Sequence, residues 1–469
     1  MSRYKTLDQS DLEFLRSVVG VERVLIGEAI NEDYGRDELA EVRRMPDVLI
    51  EAENAKEISE IMAYAQKHKI PVVARGSGTG LVGSSVAIHG GIMISLQKMN
   101  KILELDSQNL TVTVEPGVLL MELAAYVSEQ DYLYPPDPGE KSATIGGNIA
   151  TNAGGMRAVK YGVTKDYVRG LEVVLPTGEI VELGGKVVKN SSGFDLKGLM
   201  IGSEGTLGII TKAILKILPL PAKSVSLLIP FVDIDHAIGC VSKIMNTKII
   251  PTAVEFMERE VILDAQKYLG KNFPDHSSDA YLLLTYDGVS RMEIEAAYQP
   301  VADICFANGG LDLLIVDTDE RKDAVWSARS AFLEAIKGST TEMDECDVVV
   351  PKSHLAEMVH YTYTLKEKYN LRIKSFGHAG DGNLHIYLLK DELSEEVWKQ
   401  KRDAIFDELY SKAFTLQGKV SGEHGIGFAK VEYFAKEEPP VVLALTRAIK
   451  KVFDPNLVLN PDKIVNLAK

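Results

Sequence analysis

Short apolar runs alternate with amphipathic stretches along the first half of the chain. Residues 47–52 (DVLIEA) predict a buried strand, and residues 55–68 (AKEISEIMAYAQKH) predict a helix after it. Asn54, with Glu57 three residues later, is a typical N-cap for that helix. Residues 172–183 (EVVLPTGEIVEL) predict a β-hairpin that turns at Pro-Thr-Gly. Helices and strands are therefore mixed in this region.

A second region of mixed helix and strand begins after Pro219 and Pro221, which mark a boundary. Residues 224–231 (SVSLLIPF) and 280–287 (AYLLLTYD) predict strands, and residues 236–245 (HAIGCVSKIM) predict a helix between them. We therefore expect an α+β fold with a second α+β domain. The predicted segments are an N-terminal helical segment of residues 1–45, a first domain of 46–220, a second domain of 221–416 and a C-terminal segment of 417–469.

Composition and charge favour a folded cytoplasmic protein. Hydrophobic residues make up 45% and charged residues 25% of the 469 positions, and the net charge is −15. An acidic surface repels phosphate, so nucleic acids and anionic membranes are poor partners. The opening residues lack the pattern of a secretory signal, and no apolar stretch reaches the ~20 residues that cross a bilayer. We expect a soluble protein without a membrane span.

The three cysteines, Cys240, Cys305 and Cys346, are far apart and form no CxxC pair. This usage fits a reducing compartment. Three thiols are also too few for a four-cysteine iron–sulfur cluster carried by this chain alone. Any redox reaction of the protein would therefore need another route for its electrons.

Two glycine-rich stretches are the first candidates for ligand binding. Residues 74–83 (ARGSGTGLVG) follow a predicted strand and contain a formal GxGxxG. A Rossmann site needs a helix directly after this motif, and residues 84–96 (SSVAIHGGIMISL) cannot supply one. Residues 143–155 (ATIGGNIATNAGG) are unsuited to an amphipathic core helix and too patterned for a linker. Together the stretches suggest backbone N–H groups around a large cofactor with a pyrophosphate, with a flexible connection as the alternative.

Residues 377–385 (GHAGDGNLH) form the strongest independent chemical signal. Two histidines seven positions apart would face opposite sides of one straight strand, but the AGDGN between them predicts a turn. The chain should therefore fold as a hairpin in which His378 and His385 face each other. With Glu423 the set becomes two imidazoles and a carboxylate, which suits a divalent metal such as Zn, Fe or Mn. Ordinary core or surface histidines are the alternative.

Three longer motifs resemble one flavoprotein family. They are ARGSGTGLVG, PPDPGEKSATIGGNIATNAGGMRAVKYG and DLKGLMIGSEGTLGIITKAILKI, in this order along the chain. From residue 46 to the C-terminus the chain resembles the vanillyl-alcohol-oxidase/cresol-methylhydroxylase flavoproteins, and within them the glycolate-oxidase-subunit and D-lactate-dehydrogenase branch. The resemblance implies a two-part FAD-binding domain of this type, an inserted α+β cap domain, and a C-terminal segment that returns to the FAD domain.

The resemblance also implies which residues hold FAD. They are Arg75, Gly76, Ser77, Gly78, Thr79, Gly80, Gly83, Ser84, Pro138, Gly139, Thr144, Gly147, Asn148, Thr151, Asn152, Gly154, Gly162, Glu204, Gly205, Ile209 and Asn460. Family members that bond the flavin covalently from the first loop carry a histidine where Thr79 stands. A threonine cannot make that bond, so we expect non-covalent FAD.

By the same resemblance, His378, His385 and Glu423 bind the metal and His424 is the general base. A metal on the hydroxyl of a 2-hydroxy acid lowers the pKa of that hydroxyl. A neutral imidazole can then take the proton at neutral pH. A role as an alternate ligand or a supporting residue is the alternative for His424.

Arg329 stands where relatives hold the substrate carboxylate, and a guanidinium can bind a carboxylate through two hydrogen bonds. An ordinary salt bridge is the alternative. Lys352 and Lys374 are lesser candidates, with solvated positions as the alternative. Acids dominate residues 342–347 (EMDECD), where a distal carboxylate would need cations, so D-lactate is favoured over 2-hydroxyglutarate.

The expected function is FAD- and metal-dependent oxidation of a D-2-hydroxy acid, D-lactate above others, by hydride transfer to flavin N5. Glycolate or D-2-hydroxyglutarate oxidation, a metallohydrolase and a structural flavin-binding subunit are the alternatives. The chain is similar to dehydrogenase subunits that pair with electron-transfer flavoprotein, which implies such a partner. A quinone, an iron–sulfur protein or independent action is the alternative.

Overall fold

The structure is a computed structural model that describes residues 3–39 and 41–467. The chain divides into two compact units, and the second is inserted into the first. Within the described residues, the first unit comprises the chain up to Ala153, Val163–Leu220 and the chain from Glu423 onward, and the second comprises Gly154–Gly162 and Pro221–Gly422. One division thus falls between residues 220 and 221, and the C-terminal one falls after residue 422, beyond residue 416 where the sequence placed it.

The regular elements are numbered here in chain order. The strands are β1 (Val24–Ile26), β2 (Val48–Glu51), β3 (Val72–Arg75), β4 (Ile92–Ser95), β5 (Ile102–Asp106), β6 (Thr111–Val114), β7 (Tyr132–Leu133), β8 (Val168–Val174), β9 (Ile180–Gly184), β10 (Ile209–Lys216), β11 (Leu218–Pro219), β12 (Lys223–Phe231), β13 (Ala253–Glu258), β14 (Ala280–Gly288), β15 (Leu314–Val316), β16 (Met343–Val349), β17 (Arg372–His378) and β18 (Asn383–Leu389). The α-helices are α1 (Gln9–Val19), α2 (Ala55–His68), α3 (Leu120–Ser128), α4 (Ile145–Thr151), α5 (Ala158–Tyr161), α6 (Leu196–Met200), α7 (Ile234–Met245), α8 (Arg259–Leu269), α9 (Arg291–Phe306), α10 (Asp319–Lys337), α11 (Leu355–Tyr369), α12 (Glu395–Thr415), α13 (Val431–Glu437) and α14 (Pro440–Phe453). Short 3₁₀ helices lie at Val21–Arg23, Gly27–Ala29, Glu32–Gly35, Thr164–Asp166 and Lys352–His354.

The first sheet of the first unit has the strand order β1-β2-β4-β3. β2 and β3 both pair with β4 in parallel, so the chain between them must cross over, and α2 makes that crossover. The side chain of Asn54 accepts a hydrogen bond from the backbone of Glu57, and α2 buries Ile58, Ile61 and Met62 in the core. The predicted strand, cap and helix are confirmed.

The opening of the chain is helical only in part. Asp8 caps α1 through its side chain, but α1 ends at Val19. Gly20 follows with φ +89°, a conformation that favours glycine, and the chain continues in short 3₁₀ helices and β1. The predicted helical character therefore does not extend over residues 20–45 that the structure describes.

The second sheet of the first unit is antiparallel, with the order β5-β6-β10-β8-β9. β8 and β9 form the predicted hairpin, and Gly178 in its turn has φ +101°. Farther along the chain, Val458 and Leu459 enter the core beside the first sheet. Leu459 also forms a parallel bridge with Val72. The C-terminal segment is thus an integral part of the first unit.

The second glycine-rich stretch contains a short helix, contrary to the prediction from its composition. α4 begins after Thr144, whose side chain accepts a hydrogen bond from the backbone of Gly147. The helix buries Ile145, Asn148 and Ile149. Small residues have low helix propensity, but a good N-cap and burial of one face outweigh this preference. The exclusion of a core helix from this stretch was wrong.

The second unit is built on one seven-stranded antiparallel sheet in the order β15-β12-β14-β13-β17-β18-β16. Its core includes Met257 and Phe376 of the sheet together with Val261 of α8 and Phe332 of α10, so these two helices cover one face. β12, β14 and α7 are confirmed as predicted. The order places β17 and β18 between β13 and β16, which decides the surroundings of the candidate site.

The mixed α+β class predicted from sequence is confirmed in both units. Among the helices of residues 3–39 and 41–467, none combines the length and the apolar character that a membrane crossing requires.

Candidate active site

The histidine hairpin, residues 372–389, lies inside the sheet of the second unit. β17 and β18 pair antiparallel, with Phe376 opposite His385 and His378 opposite Asn383. Because side chains alternate along a strand, both histidines lie on the same face. Their ring centroids are 5.4 Å apart and the ring planes are nearly perpendicular, at 89°. The predicted hairpin is confirmed, with the histidines diagonal to each other across it.

The turn of the histidine hairpin needs glycine. Gly382 has φ +86°, and a Cβ there would lie 2.0 Å from the carbonyl oxygen of Val350. A side chain at this position would therefore clash with backbone, and the tight approach fixes where β18 begins. The GDG signal in the sequence is thus explained by backbone geometry.

Each histidine of the hairpin is held by a carboxylate from a neighbouring strand. His378 Nδ1 lies 2.7 Å from Glu255 Oε1 on β13. His385 Nδ1 lies 2.9 Å from Glu345 Oε1 on β16, and the same oxygen accepts the hydroxyl of Tyr387 at 3.1 Å. With Nδ1 engaged, Nε2 is the atom that each ring would offer to a metal. Carboxylate–histidine pairs of this kind are typical around metal ligands.

Arg329 on α10 is buried beside the same carboxylate. Its Nε and Nη2 donate to Glu255 Oε2 at 2.9 and 2.5 Å. The guanidinium also lies over the ring of Phe376, 4.8 Å from its centroid. Burial raises the pKa of Glu255, but the charges of His378 and Arg329 outweigh burial and hold that pKa below its usual value. Arg329 therefore forms the salt bridge that was the alternative for this position, beside the hairpin.

Asp347 anchors the end of the second unit to the start of β18. The carboxylate is fully buried and accepts hydrogen bonds from Asn383 Nδ2 at 2.7 Å, Ser421 Oγ at 2.8 Å and Gly422 N at 3.1 Å. A Cβ at Gly422 would lie 2.0 Å from Asn383 Nδ2, so the backbone packs directly on that side chain. Asp347 thereby fixes the residue after which the chain leaves this unit.

Glu423 and His424 follow Gly422 directly along the chain and belong to the first unit. Within the second unit, the structure brings His378 and His385 together with three further side chains, Glu255, Glu345 and Arg329. The metal role of Glu423 and the base role of His424 stay predictions.

The two lesser candidates have ordinary surroundings. Lys374 is buried and forms an ion pair with Asp264 of α8. Lys352 is exposed in a 3₁₀ helix. Lys374 supports the sheet, and Lys352 fits the solvated alternative.

Sequence reasoning missed the three carboxylates of this site. Glu345 and Asp347 belong to the acidic run that was considered only as an obstacle to a distal substrate carboxylate. Their spacing of two on a strand was a usable signal, because it places both on one face. Glu255 stands among apolar neighbours in residues 253–257 (AVEFM), and a buried charge there needs partners.

In the first unit, the two glycine-rich stretches lie against each other. A Cβ at Gly76 would be 2.1 Å from Thr144 Oγ1. Ser77 Oγ donates to the carbonyl of Ser142 at 2.7 Å. Two stretches that are about sixty residues apart in sequence therefore contact each other.

Two buried cations brace the first glycine-rich stretch. Arg75 donates to the carbonyl of Asp33 at 2.8 Å and to Ser85 Oγ at 3.2 Å. Lys463 donates to the carbonyl of Val86 at 2.9 Å, and burial lowers the pKa of its ammonium to about 8. The guanidinium of Arg75 is thus engaged with the chain around it. Its predicted part in FAD binding stays a prediction.

Glu204 lies buried between the first stretch and the C-terminal segment. Its carboxylate accepts Ser84 Oγ at 2.5 Å and the backbone N–H groups of Ile426 and Gly427, each at 2.7 Å. Asn460 Nδ2 donates to the carbonyls of Ser84 at 2.9 Å and Glu204 at 2.8 Å. Burial raises the pKa of Glu204. One hydrogen-bond network therefore joins Glu204 to Ser84, Asn460 and the backbone of residues 426 and 427.

The other predicted FAD residues of the first unit lie in the two glycine-rich stretches, in the loop that precedes the second stretch, and near the start of β10. They are Gly78, Thr79, Gly80, Gly83, Pro138, Gly139, Gly147, Asn148, Thr151, Asn152, Gly205 and Ile209. Gly154 and Gly162 are the ends of the short segment that belongs to the second unit. His89, the histidine near Thr79 in sequence, is paired with Asp462 at 2.8 Å.

Comparison with known proteins identifies the two halves of the chain. The FAD binding domain family matches residues 46–184. The family of FAD linked oxidases, C-terminal domain, matches residues 220–464.

Similar proteins span nearly the whole chain. The D-lactate dehydrogenase of Anaerostipes hadrus is 48% identical over 452 residues, which cover 95% of each chain. The glycolate oxidase subunit GlcD of Bacillus subtilis (strain 168) is 39% identical over 434 residues, 92% of this chain and 91% of the relative. The solved structure of p-cresol methylhydroxylase with substrate bound aligns with a TM-score of 0.79 over 99% of both chains at 19% identity. At that identity the likeness concerns the fold, and it confirms the predicted fold type.

Proposed function

The chain belongs to the FAD-linked oxidase family, and from that membership we propose that it oxidises D-2-hydroxy acids, with D-lactate as its substrate and pyruvate as its product. One observation carries the proposal: two imidazoles, each held at Nδ1 by a carboxylate, lie beside a buried arginine in a flavoprotein chain. The identity of 48% to a D-lactate dehydrogenase supports the choice of substrate. Glycolate and D-2-hydroxyglutarate are the competing substrates.

We propose that His378, His385 and Glu423 hold a divalent metal such as Zn²⁺, Fe²⁺ or Mn²⁺. The donor set fits such an ion, since two imidazole nitrogens and one carboxylate oxygen leave further positions for substrate oxygens. The carboxylates of Glu255 and Glu345 orient the rings in the manner expected of metal ligands. When bound, the metal supplies positive charge that lowers the pKa of the substrate hydroxyl.

Arg329 and His424 are the side chains proposed to bind and deprotonate the substrate. A guanidinium has five N–H donors, and Glu255 takes one from Nε and one from Nη2. The rest of the fork can therefore bind the substrate carboxylate. His424, as a neutral imidazole, accepts the hydroxyl proton. When bound, FAD supplies the acceptor for the hydride that leaves the α-carbon.

The region in which the two glycine-rich stretches contact each other is the proposed site of non-covalent FAD. Gly76 and Thr144 bring the stretches together, and Glu204, Lys463 and Asn460 hold the first stretch and the C-terminal segment in place. A pyrophosphate would be bound there by backbone N–H groups, which needs a rigid loop free of side chains. The resemblance of this region to FAD-binding loops supports the assignment.

We further propose that the protein acts in the cytoplasm and passes its electrons to a separate protein, electron-transfer flavoprotein. The three cysteines are too few for a four-cysteine cluster within this chain. A quinone or an iron–sulfur protein is the competing acceptor. Reoxidation of the reduced flavin by each purified acceptor would distinguish them.

The test is anaerobic mixing of the FAD-loaded protein with D-lactate, L-lactate, glycolate and D-2-hydroxyglutarate, followed through the flavin absorbance. We expect D-lactate to bleach the flavin and L-lactate to leave it oxidised. Faster bleaching by glycolate or D-2-hydroxyglutarate would replace the substrate and keep the reaction class. A yellow protein that none of the four acids bleaches would contradict the proposed function.

A further inference from the structure

We propose that Glu255 is a positioning residue shared by the metal site and the substrate site, so that metal retention and substrate affinity depend on one carboxylate. The inference rests on the proposed function, which assigns the metal to His378 and the substrate carboxylate to Arg329. It goes further by predicting that Arg329, which offers no ligand atom, affects metal binding.

The geometry around Glu255 divides its two oxygens between the two sites. Oε1 lies 2.7 Å from His378 Nδ1, and Oε2 accepts two N–H groups of Arg329 at 2.9 and 2.5 Å. Glu255 stands opposite His378 in the pairing of β13 with β17, so the first contact is set by strand register. The side chain is fully buried. Water is therefore a poor substitute for either partner.

Each partner of Glu255 fixes the carboxylate for the other. The described contacts at Oε2 come from Arg329, so its removal lets the carboxylate rotate and weakens its hold on His378. A buried carboxylate that loses one charged partner also becomes strongly unfavourable in its charged form. Conversely, without the Glu255 charge the guanidinium of Arg329 keeps only its contacts with the rings of Phe332 and Phe376 among the contacts described. Both sites should loosen together.

Two other glutamates of the same sheet serve as matched controls. Glu345 holds the second histidine, His385, and Tyr387, and its described partners do not include Arg329. Glu258 lies on the same strand as Glu255, is buried, and accepts a hydrogen bond from Ser375. Glu345→Gln should affect the metal with less effect on substrate affinity. Glu258→Gln should affect neither.

The first experiment measures metal binding without catalysis. Protein stripped with chelator but still loaded with FAD is titrated with Mn²⁺ or Zn²⁺, for the wild type, Glu255→Gln, Arg329→Met and the double variant. We expect the Kd for the metal to rise about 10- to 100-fold in Glu255→Gln. In Arg329→Met it should rise at least about 5-fold, and the double variant should show less than the product of the two effects, because the residues act through one contact.

The second experiment measures KM for D-lactate at saturating metal. We expect KM to rise about 10-fold or more in Glu255→Gln and by clearly less in Glu345→Gln. The ratio of FAD to protein and the circular dichroism spectrum identify variants that do not fold. Should Glu255→Gln misfold, Glu255→Asp keeps the charge but is too short for both contacts, and it should show the same paired losses.

The outcomes separate the inference from the function on which it rests. Unchanged metal affinity in Arg329→Met, or metal loss in Glu255→Gln with unchanged KM, would overturn the shared role of Glu255. A wild-type protein that binds neither Mn²⁺ nor Zn²⁺ would overturn the metal site itself. Paired loss of metal and substrate affinity in Glu255→Gln, with Glu258→Gln like the wild type, supports the inference.

Discussion

The glycine-rich stretches of the first unit and the histidine hairpin of the second unit are built in opposite ways. In the first unit, glycines allow close approach to neighbouring groups, and a single methyl group at Gly76 would lie 2.1 Å from Thr144 Oγ1. In the second unit, polar side chains form the site, and carboxylates from neighbouring strands orient His378 and His385. One site depends on close backbone approach, and the other depends on charges paired across a sheet.

This difference determines what damages each site. The first site should fail when atoms are added, even apolar ones, because the backbone has no room to move. The second should fail when charge is removed, even without a change of shape, because a buried charge loses its partner. Substitutions that add atoms at the first site or remove charge at the second therefore test this separation.

Replacement of His424 with Ala should abolish the chemistry and leave FAD bound. We expect the rate of flavin reduction by D-lactate to fall about 10²- to 10⁴-fold, because the hydroxyl proton loses its acceptor. Anaerobic stopped-flow absorbance measures the rate, and the FAD content reports the first unit. His360→Ala, at an exposed histidine paired with Asp235, is the control. Wild-type reduction in His424→Ala would remove His424 from the base role.

Gly76→Val should release FAD while the metal site stays intact. The added side chain forces Thr144 away, and overpacking of this kind costs about 1–3 kcal/mol, which corresponds to an affinity loss of up to about 100-fold. Gly239→Val, at an exposed position of α7, is the matched control, since a Cβ there meets nothing within 4 Å. Flavin fluorescence during dialysis gives the dissociation constant. Equal FAD retention in both variants would contradict the close-approach account.

Arg329→Ala should weaken substrate binding more than it slows the reaction. At saturating metal we expect KM for D-lactate to rise about 10-fold or more and kcat to change less, because a carboxylate clamp acts in the ground state and the transition state alike. Steady-state kinetics with an artificial acceptor measures both constants. Arg291→Ala, which removes an exposed arginine paired with Glu295, is the control. A loss confined to kcat would argue against a clamp.

Glu258→Gln should change how the stability of the fold depends on pH, and it should leave activity nearly unchanged. Burial raises the pKa of Glu258 from 4.5 to about 7, although Ser375 donates a hydrogen bond to it. A carboxyl group whose pKa is raised on folding stabilises the fold fully at pH values below its pKa in the unfolded chain. This contribution is lost as the pH rises through the pKa of the group in the folded protein.

The variant cannot ionise, so it should unfold at a higher temperature than the wild type at pH 8 and at a similar temperature at pH 4. The difference should reach about 3 kcal/mol at pH 8. Thermal unfolding followed by circular dichroism at the two pH values tests this. The same difference in unfolding temperature at both pH values would exclude the ionisation of Glu258 as its cause.

Local sequence signals predicted the elements whose causes are local. The cap at Asn54, the hairpin at residues 172–183 and the histidine hairpin each depend on a few neighbouring residues. Helix α4 was missed because its composition opposes a helix, and burial of Ile145 and Ile149 overrides that preference. Such burial depends on the surrounding fold and is invisible in a short window of sequence.

The candidate site was predictable only along the chain and not across the sheet. His378 and His385 could be paired from the turn between them. Glu255 lies 123 residues before His378, and the two meet because β13 happens to be the neighbour of β17. Strand order is a long-range property, so the carboxylates that orient the histidines needed the structure.

Reduction of the flavin by D-lactate, measured with and without the bound metal, is the decisive test of the proposed reaction. Protein stripped by chelator should keep its FAD and its yellow colour, and D-lactate should no longer bleach it. Addition of Mn²⁺ or Zn²⁺ should restore bleaching by D-lactate and not by L-lactate. Bleaching at an undiminished rate in fully stripped protein would contradict the account, because the histidine hairpin would then have no part in the reaction.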